Sequence, residues 1–456
     1  MYDQTRTVAA ISTGQAPGGI GVVRISGPQA LAVGERVFRA RSGRPLTGMA
    51  GYSAAVGGIY SAEGEKLDDC VALVFRGPKS YTGEDVVELS CHGGLYLTRR
   101  VLSEVLTQGA DPAGPGEFTR QAFLNGKLDL AQAESVMELI GAGGEQAARL
   151  AQAGSSGALS KRIAGIISDL EKLAVHLAAW ADFPEEDVDE VSVEETEKAL
   201  DQAEQELAKL LTGFDKAKVY REGLRTVIVG RPNVGKSTLM NLLSGRERSI
   251  VTPHPGTTRD VVEEPVSVGG IPLLLADTAG LRESSDPVEK IGVAVARERL
   301  GSAQLVLAVF DGSRELGRED LDLMEELKTL PVIAVVNKSD LEHRMDTEKI
   351  GQALGGLVRI SAAQGSGLKE LEDMLVKKLG GSDFHPVDGE LFTQRQQAAV
   401  QRAWESLRQG RDALALTLDA VTVCVENALD ALFELTGQKV SEQVVDQVFE
   451  QFCVGK

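Results

Sequence analysis

A chain of 456 residues, 43% of them hydrophobic, has the mass for about three domains with buried cores. Its 48 basic and 67 acidic residues give a net charge of −19, the wrong sign for gripping nucleic acid on a broad basic face, so an RNA substrate would need a partner to carry it. Most of that excess reads equally well as solvated surface, and with no apolar run of ~18 residues and no signal peptide after Met1, a cytoplasmic location without a membrane partner is expected.

Residues 1–121 read as short strands at 7–11, 21–25, 70–75 and 86–89, punctuated by Pro/Gly clusters, with one helix near 95–106, which makes an α+β domain. Over 122–220 the apolar period turns helical. Ile163, Ile166, Ile167, Leu170, Leu173, Leu177 and Trp180 form one stripe, and Ser192-Val193-Glu194-Glu195 resembles a capping box opening the next helix. The run from Asp182 to Asp187 between them reads as a solvated loop. Helical texture returns over 381–456, with Val400, Ala403, Trp404 and Leu407, then Cys424, Val425, Ala428, Leu429, Leu432 and Phe433. Neither helical stretch can bury a core alone, so the two are expected to pack as one discontinuous domain with residues 221–380 inserted between them. Cys70, Cys91, Cys424 and Cys453 lack metal-ligand or disulfide spacing, and so do the five histidines, which fits a reducing compartment.

The inserted segment carries the chemistry. Gly230-Arg231-Pro232-Asn233-Val234-Gly235-Lys236-Ser237 follows an apolar strand-like run and matches the phosphate loop of P-loop nucleotide enzymes. Its backbone N–H groups would cradle phosphates, Lys236 would reach the β/γ oxygens, Ser237 would ligate Mg²⁺, and Thr238 would open a helix pointing its positive end at the ligand. Asp277-Thr278-Ala279-Gly280 comes after a second apolar run and would hold the Mg²⁺ water shell and the γ-phosphate. Asn337-Lys338-Ser339-Asp340 follows a third, with Asp340 accepting the two adjacent N–H groups that guanine presents and adenine does not. Ser361, Ala362 and Ala363 fit a fourth loop closing over the base. Four such loops in this order specify a Ras-like GTPase domain that binds and hydrolyses GTP.

Beyond these loops, several segments are similar to the MnmE (TrmE) family of tRNA-modification GTPases. They are Gly18-Gly19-Ile20-Gly21-Val22-Val23-Arg24-Ile25-Ser26-Gly27, Tyr81-Thr82-Gly83-Glu84-Asp85, His92-Gly93-Gly94, Pro115-Gly116-Glu117-Phe118-Thr119-Arg120, the run 122–130, Asp182-Phe183-Pro184 and the closing Cys453-Val454-Gly455-Lys456. The resemblance spans essentially the whole chain. It implies a homodimer joined through N-terminal folate-binding-like domains. It also implies a flavin- and NADH-using partner, MnmG (GidA), with which an aminomethyl or carboxymethylaminomethyl group is built on C5 of the wobble uridine (U34) of certain tRNAs. A reduced folate, 5-formyl- or methylene-tetrahydrofolate, is the implied one-carbon source. By motif position Arg24, Glu88, Lys127 and Lys456 would contact it: cations suit its carboxylates, and Glu88 suits the donor-rich pterin edge. Without the resemblance, Arg24 and Glu88 read as surface-strand charges.

Leu281 stands where Ras-like proteins place the glutamine that orients the attacking water. The family pattern gives that task to Glu289, acting through a bridging water; read alone, Glu289 is a solvent-facing side chain. No arginine finger is recognisable either. By resemblance a K⁺ ion takes its place, ligated by Asn233 and by oxygens of Thr252, His254 and Thr257, within the loop Thr252-Pro253-His254-Pro255-Gly256-Thr257-Thr258 that also faces GTP. His254 replaces an expected apolar residue, a change a carbonyl ligand tolerates. Thr258 would join Ser237 on Mg²⁺, and transient pairing of two G domains would complete each K⁺ site.

Cys453 is open to two readings, a nucleophile or a small thiol in an ordered tail; with no base evident nearby, a non-covalent role is favoured. Two rival functions stand beside the main one. A ribosome-assembly GTPase of the Era or Der kind would need a KH-like or second G domain, and the sequence offers neither. A folate-dependent one-carbon transferase regulated by GTP would transfer its carbon unit without a partner.

Overall fold

The computed structural model describes residues 5–182, 192–245, 263–276, 303–378 and 389–456. Residues 1–137 with 426–456 form one compact unit and residues 138–425 a second, the division falling inside helix Leu418–Thr436. This cut differs from the boundaries expected near 121 and 381.

In the first unit, seven strands form one sheet: β1 (Val8–Ile11), β2 (Ile20–Ser26), β3 (Phe38–Ala40), β4 (Ser53–Tyr60), β5 (Lys66–Phe75), β6 (Val86–His92) and β7 (Asp111–Pro112). They lie in the order β3-β4-β5-β6-β2-β1-β7, antiparallel except for the β1–β7 pair. Alternation decides the faces. Val23 and Ile25 of β2 and Val87 and Leu89 of β6 point into a core covered by helices Ala30–Val37 and Leu95–Thr107, whereas Val22, Arg24, Glu88 and Ser90 share the opposite, half-buried face. Strands β3 and β4 and helix Ala30–Val37 were not expected from sequence. Strand β4 is rich in Ala and Gly, which have low strand preference, and it exists because β3 and β5 pair with it on either side. Gly57 is required there, since an added Cβ would stand 2.2 Å from the Arg39 carbonyl.

Helix Glu117–Leu124 starts before the expected change of texture at residue 122, after Gly116 in a left-handed conformation (φ 61°). Helix Glu442–Glu450 packs on Leu130 and Ala133 of the helix Leu130–Gly141 through Val445, Val448 and Phe449. The chain's final segment therefore belongs to the same unit as its beginning.

In the second unit the apolar stripe of helix Ala158–Asp182 is buried from Ile163 to Leu177. Ser192 caps helix Val193–Glu222 by accepting the Glu195 N–H, as the sequence pattern implied. Helix Gln394–Ala413 returns along it, with Arg411 within 3.2 Å of Asp201 and 2.9 Å of Glu204. Gly223, with φ 75°, ends helix Val193–Glu222 and turns the chain directly into the nucleotide sheet.

That sheet contains β8 (Leu224–Val229), β9 (Glu263–Val268), β10 (Ile271–Ala276), β11 (Leu305–Asp311), β12 (Val332–Asn337) and β13 (Leu357–Arg359) in the order β13-β12-β11-β8-β10-β9. All neighbours are parallel except β9 and β10, whose Gly269-Gly270 turn has positive φ at both residues, the requirement of a type I′ hairpin. Strand β11, which motif reading passed over, is wholly buried. Leu305, Leu307 and Val309 enter one core, while Val306, Ala308 and Phe310 enter another, so both faces of the sheet are covered. Helices Lys236–Ser244 and Leu368–Lys378 cover the first face, and Arg318–Leu327 and Thr347–Leu354 the second. Parallel register brings the carboxyl ends of β8, β11, β12 and β13 to one edge, where a ligand crevice belongs. Among the described residues no helix is long and apolar enough to cross a membrane.

Candidate functional site

The phosphate loop leaves β8 at Val229 and turns on glycines the geometry needs. An added Cβ at Gly230 (φ 151°) would lie 2.3 Å from the Val309 carbonyl, and one at Gly235 (φ 98°) 2.2 Å from Asn337 Nδ2. Lys236 folds back so that its ammonium donates to the carbonyls of Gly230 and Arg231, both at 2.8 Å. The lysine is thereby held over the loop rather than lost to solvent. Ser237 and Thr238 are exposed in the first turn of helix Lys236–Ser244, where free N–H groups and the helix dipole favour an anion. Asn233 is also exposed and sits at φ 64°.

The base-side loops are braced against this loop through backbone atoms. Asn337 is buried and bridges two of them, with Nδ2 donating to the Val234 carbonyl at 2.8 Å and Oδ1 accepting the Ala362 N–H at 2.9 Å. Lys338, at φ 66°, donates to the Asn233 carbonyl at 2.9 Å and to Asp311 Oδ2 at 2.6 Å. Ser361, fully buried, donates to Asp340 Oδ1 at 2.5 Å, which orients a carboxylate that is otherwise exposed. Ser339 N–H binds the Ile360 carbonyl at 3.0 Å, while Ala363 stays at the surface.

Asp311 is a site residue that motif reading missed. It ends the apolar run 305–310, the same arrangement of a carboxylate after a strand that singled out Asp277, and that signal could have found it. Burial pushes its carboxyl up, but hydrogen bonds from Lys338 and Ser313 outweigh burial and hold it below the ordinary aspartate range. Thr252, Pro253, His254, Pro255, Gly256, Thr257, Thr258, Asp277, Thr278, Ala279, Gly280 and Glu289 lie outside the described residues.

A second cluster occupies the half-buried face of the N-terminal sheet. Arg24 and Glu88 are register partners on β2 and β6. Both Nε and Nη2 of Arg24 reach Glu88 Oε1 at 2.8 Å, and among the described residues no hydrogen bond reaches Oε2. The Phe118 ring lies 5.2 Å and the Tyr81 ring 5.9 Å from the Arg24 guanidinium, making a cationic centre flanked by aromatics. Tyr81 hydroxyl bonds Thr119 at 2.9 Å, and burial pushes its phenol up despite that bond. Sequence reading named neither aromatic as a site residue.

The C-terminal tail closes onto the same region. Phe118 N–H donates to the backbone oxygen of Lys456 at 3.0 Å, Gly116 N–H to that of Cys453 at 3.3 Å, and Val454 bridges to Pro115. Gly455, at φ 100°, presses on β1, since an added Cβ would stand 2.1 Å from the Ile11 carbonyl. Cys453 is exposed. Lys127 donates to the Pro78 carbonyl at 3.0 Å, on the loop that carries Tyr81. Arg24 and Glu88 thus touch, whereas Lys127 bonds the loop that carries Tyr81 and Lys456 meets Phe118 only through backbone atoms.

Family profiles match this arrangement: the MnmE helical domain over residues 130–453, and the N-terminus of the GTP-binding protein TrmE over residues 7–127. The tRNA modification GTPase MnmE of Symbiobacterium thermophilum is 45% identical over 455 residues, covering 99% of both chains. The proteins of that name from Alkaliphilus metalliredigens and Heliobacterium modesticaldum are each 43% identical, again covering 99% of both chains. The chain belongs to the MnmE family of tRNA modification GTPases. The MnmE helical-domain match begins at Leu130 and ends at Cys453, both in the first unit and outside the nucleotide sheet, and Leu130 packs there with Val445, Val448 and Phe449. The TrmE match stops at Lys127, just short of helix Leu130–Gly141.

Proposed function

We propose that this GTPase couples GTP hydrolysis to the building of an aminomethyl or carboxymethylaminomethyl group on C5 of the wobble uridine (U34) of tRNA, in the cytoplasm. It would act as a homodimer with the flavin-dependent partner MnmG (GidA), and the acidic chain would meet tRNA mainly through that complex. The domains would be 1–121 for folate and dimerisation, 122–220 with 381–456 for the helical part, and 221–380 for GTP. The observation that carries the proposal is the presence, in one chain of this family, of a braced guanine-nucleotide crevice and a separate Arg24–Glu88 platform closed by the chain's own C-terminus.

Guanine reading falls to Asp340, whose Oδ1 is held by Ser361, while Asn337 keeps the fourth loop and the phosphate loop in register. Lys236, Ser237 and Thr238 take the phosphates, with Val234 and Gly235 contributing backbone. Exposed Ser237 at a helix start is a fitting Mg²⁺ ligand, and Thr258 would complete the pair. The exposed Asn233 side chain fits a K⁺ ligand because Lys338 pins its backbone, so the amide extends from a fixed point of the loop. Thr252, His254 and Thr257 would supply the other oxygens. K⁺, when bound, would supply the positive charge that an arginine finger gives elsewhere. Glu289 would position the attacking water in place of the glutamine missing at Leu281.

The N-terminal platform suits a reduced folate. Glu88 would meet the donor-rich pterin edge, the part-exposed Tyr81 offers a ring face, the fully buried Phe118 backs the Arg24 guanidinium, and Lys127 and Lys456 are the cations for carboxylates. 5-Formyl- or methylene-tetrahydrofolate, when bound, would supply the carbon unit. Cys453 would stay non-covalent. Nucleoside analysis of tRNA from cells lacking this gene tests the proposal: wobble uridines should lose the C5 group, and an unchanged pattern would refute it.

A further inference from the structure

Arg231 is the one charged residue inside the Gly230–Gly235 stretch, and the phosphate chemistry leaves it unused. Its carbonyl is one of the two that hold Lys236. Its side chain runs the other way, toward Asp320 in the first turn of helix Arg318–Leu327, where Nε comes within 2.7 Å of Oδ1. The approach is oblique, so these buried atoms form an ion pair without an aligned hydrogen bond. Asp320 is fully buried, and its other oxygen accepts the Gly317 N–H at 2.9 Å. The guanidinium lies against Gly317 itself, where an added Cβ would stand 2.8 Å from Nη1.

We propose that Asp320 is a positioning residue for nucleotide binding, acting through Arg231 to hold the entry of the phosphate loop and hence the carbonyls that aim Lys236. An ionised carboxylate taken out of water is costly without a cation beside it, so Arg231 has a strong reason to stay. Staying there, its guanidinium cannot turn toward the phosphates and compete with Lys236. Arg231 follows Gly230, pressed against β11, and precedes Pro232 with its fixed φ, so a shift of the side chain is passed to the carbonyl rather than absorbed. The pair thereby ties the helix after β11 to the loop after β8.

The inference rests on the guanine-nucleotide reading of the loop, and binding of fluorescent mant-GTP and mant-GDP to the full-length wild-type chain tests that reading by itself. Asp320→Asn, which keeps the shape and removes the charge, should weaken both nucleotides about tenfold, raising KM more than it lowers kcat. Arg231→Gln, at a partly exposed side chain and so with less risk to folding, should weaken them to a similar extent, and Arg231→Lys should recover most of the loss. The double variant should be no worse than the worse single one. Wild-type affinity in Arg231→Gln, or additive losses in the double variant, would overturn the pairing. Should Asp320→Asn fail to fold, the Gln and Lys variants at residue 231 decide the matter, because a purely structural role for Asp320 predicts unchanged affinity in both.

Discussion

In the nucleotide crevice the working residues come in short consecutive runs: Lys236 returns to the carbonyls of Gly230 and Arg231 in its own loop, and the neighbours Asn337 and Lys338 reach across 103 and 105 residues to brace Val234 and Asn233. In the N-terminal unit, Arg24 and Glu88 are 64 residues apart and meet because β2 and β6 are neighbours in register, while their aromatic walls come from a loop and a helix elsewhere in the chain. Topology assembles both, but the first is built from short linear patterns at the ends of parallel strands, and the second from single residues that no local pattern marks. One consequence is mechanical. The crevice is held by bonds among its own loops, whereas the platform depends on the tail seated at Gly116 and Phe118.

The strongest test of that contrast removes the tail. Deleting residues 453–456 takes away the backbone acceptors of Phe118 and Gly116, and should reduce tRNA modification to background and weaken reduced-folate binding. GTP hydrolysis should stay within about twofold, since misplacement costs rate where it reaches the reacting groups and the crevice makes none of these bonds. Gly455→Ala should act in the same direction through the Cβ that would collide with the Ile11 carbonyl. Full modification by the truncated chain, assayed with the proposed flavin-dependent partner and tRNA, would make the tail dispensable and dissolve the contrast.

On the crevice side, Glu289→Ala should slow GTP hydrolysis about 10²–10⁴-fold while sparing GTP affinity, the mark of a group that acts in the transition state. Turnover should be faster in K⁺ than in Na⁺, and Asn233→Ala should erase the difference while leaving folate binding unchanged. Equal rates in the two salts would remove the cation from the mechanism. A smaller effect is expected at the base. Asp340→Asn should weaken GTP about 10²-fold, the cost of losing a charged acceptor, and shift preference toward xanthosine triphosphate. Ser361 favours that outcome, because its hydroxyl would hold the new amide oxygen where Oδ1 now lies and turn the amide N–H₂ toward the base. Unaltered preference would show that another group reads guanine.

What could be read in advance follows the same division. The phosphate loop, Asn337-Lys338-Ser339-Asp340 and the 361–363 loop are contiguous, and each follows a strand whose apolar run is visible, so the elements that carry them were legible to within a few residues. Strand β11 was not, because an apolar run with no motif after it gives no reason to stop, although Asp311 stands at its end. Strand β4 escaped for another reason: its Ala and Gly residues have little preference for a strand, and the neighbours that make it one are set by the fold. Arg24 and Glu88 were singled out by family resemblance, since no local pattern distinguishes a cross-strand ion pair from two surface charges. Phe118 and Tyr81 were missed because neither a buried aromatic in a helix nor a part-exposed one in a turn carries any local sign of the cation beside it.

Asp311 provides the finest test, with the smallest effect. Its carboxyl is held below its ordinary range by Lys338 and Ser313 in spite of burial, so the folded state binds its proton less readily than the unfolded state does. The stabilisation this provides is complete above the unfolded aspartate value of about 3.9, and it is lost as the pH falls through the lower folded-state value. Asp311→Asn removes that dependence while keeping the shape. Other carboxylates act alike in both proteins, so the useful quantity is the difference between their melting temperatures across the acid range. Wild type should be the more stable near neutrality, with the gap narrowing as the pH is taken below about 4. The variant's GTP affinity at neutral pH should fall as well, because Lys338 would lose the partner that holds it beside the Asn233 carbonyl. A melting gap independent of pH, with GTP affinity unchanged, would mean that the Asp311–Lys338 bond neither charges nor braces the crevice, and that the bonds of Asn337 and Ser361 hold its loops without it.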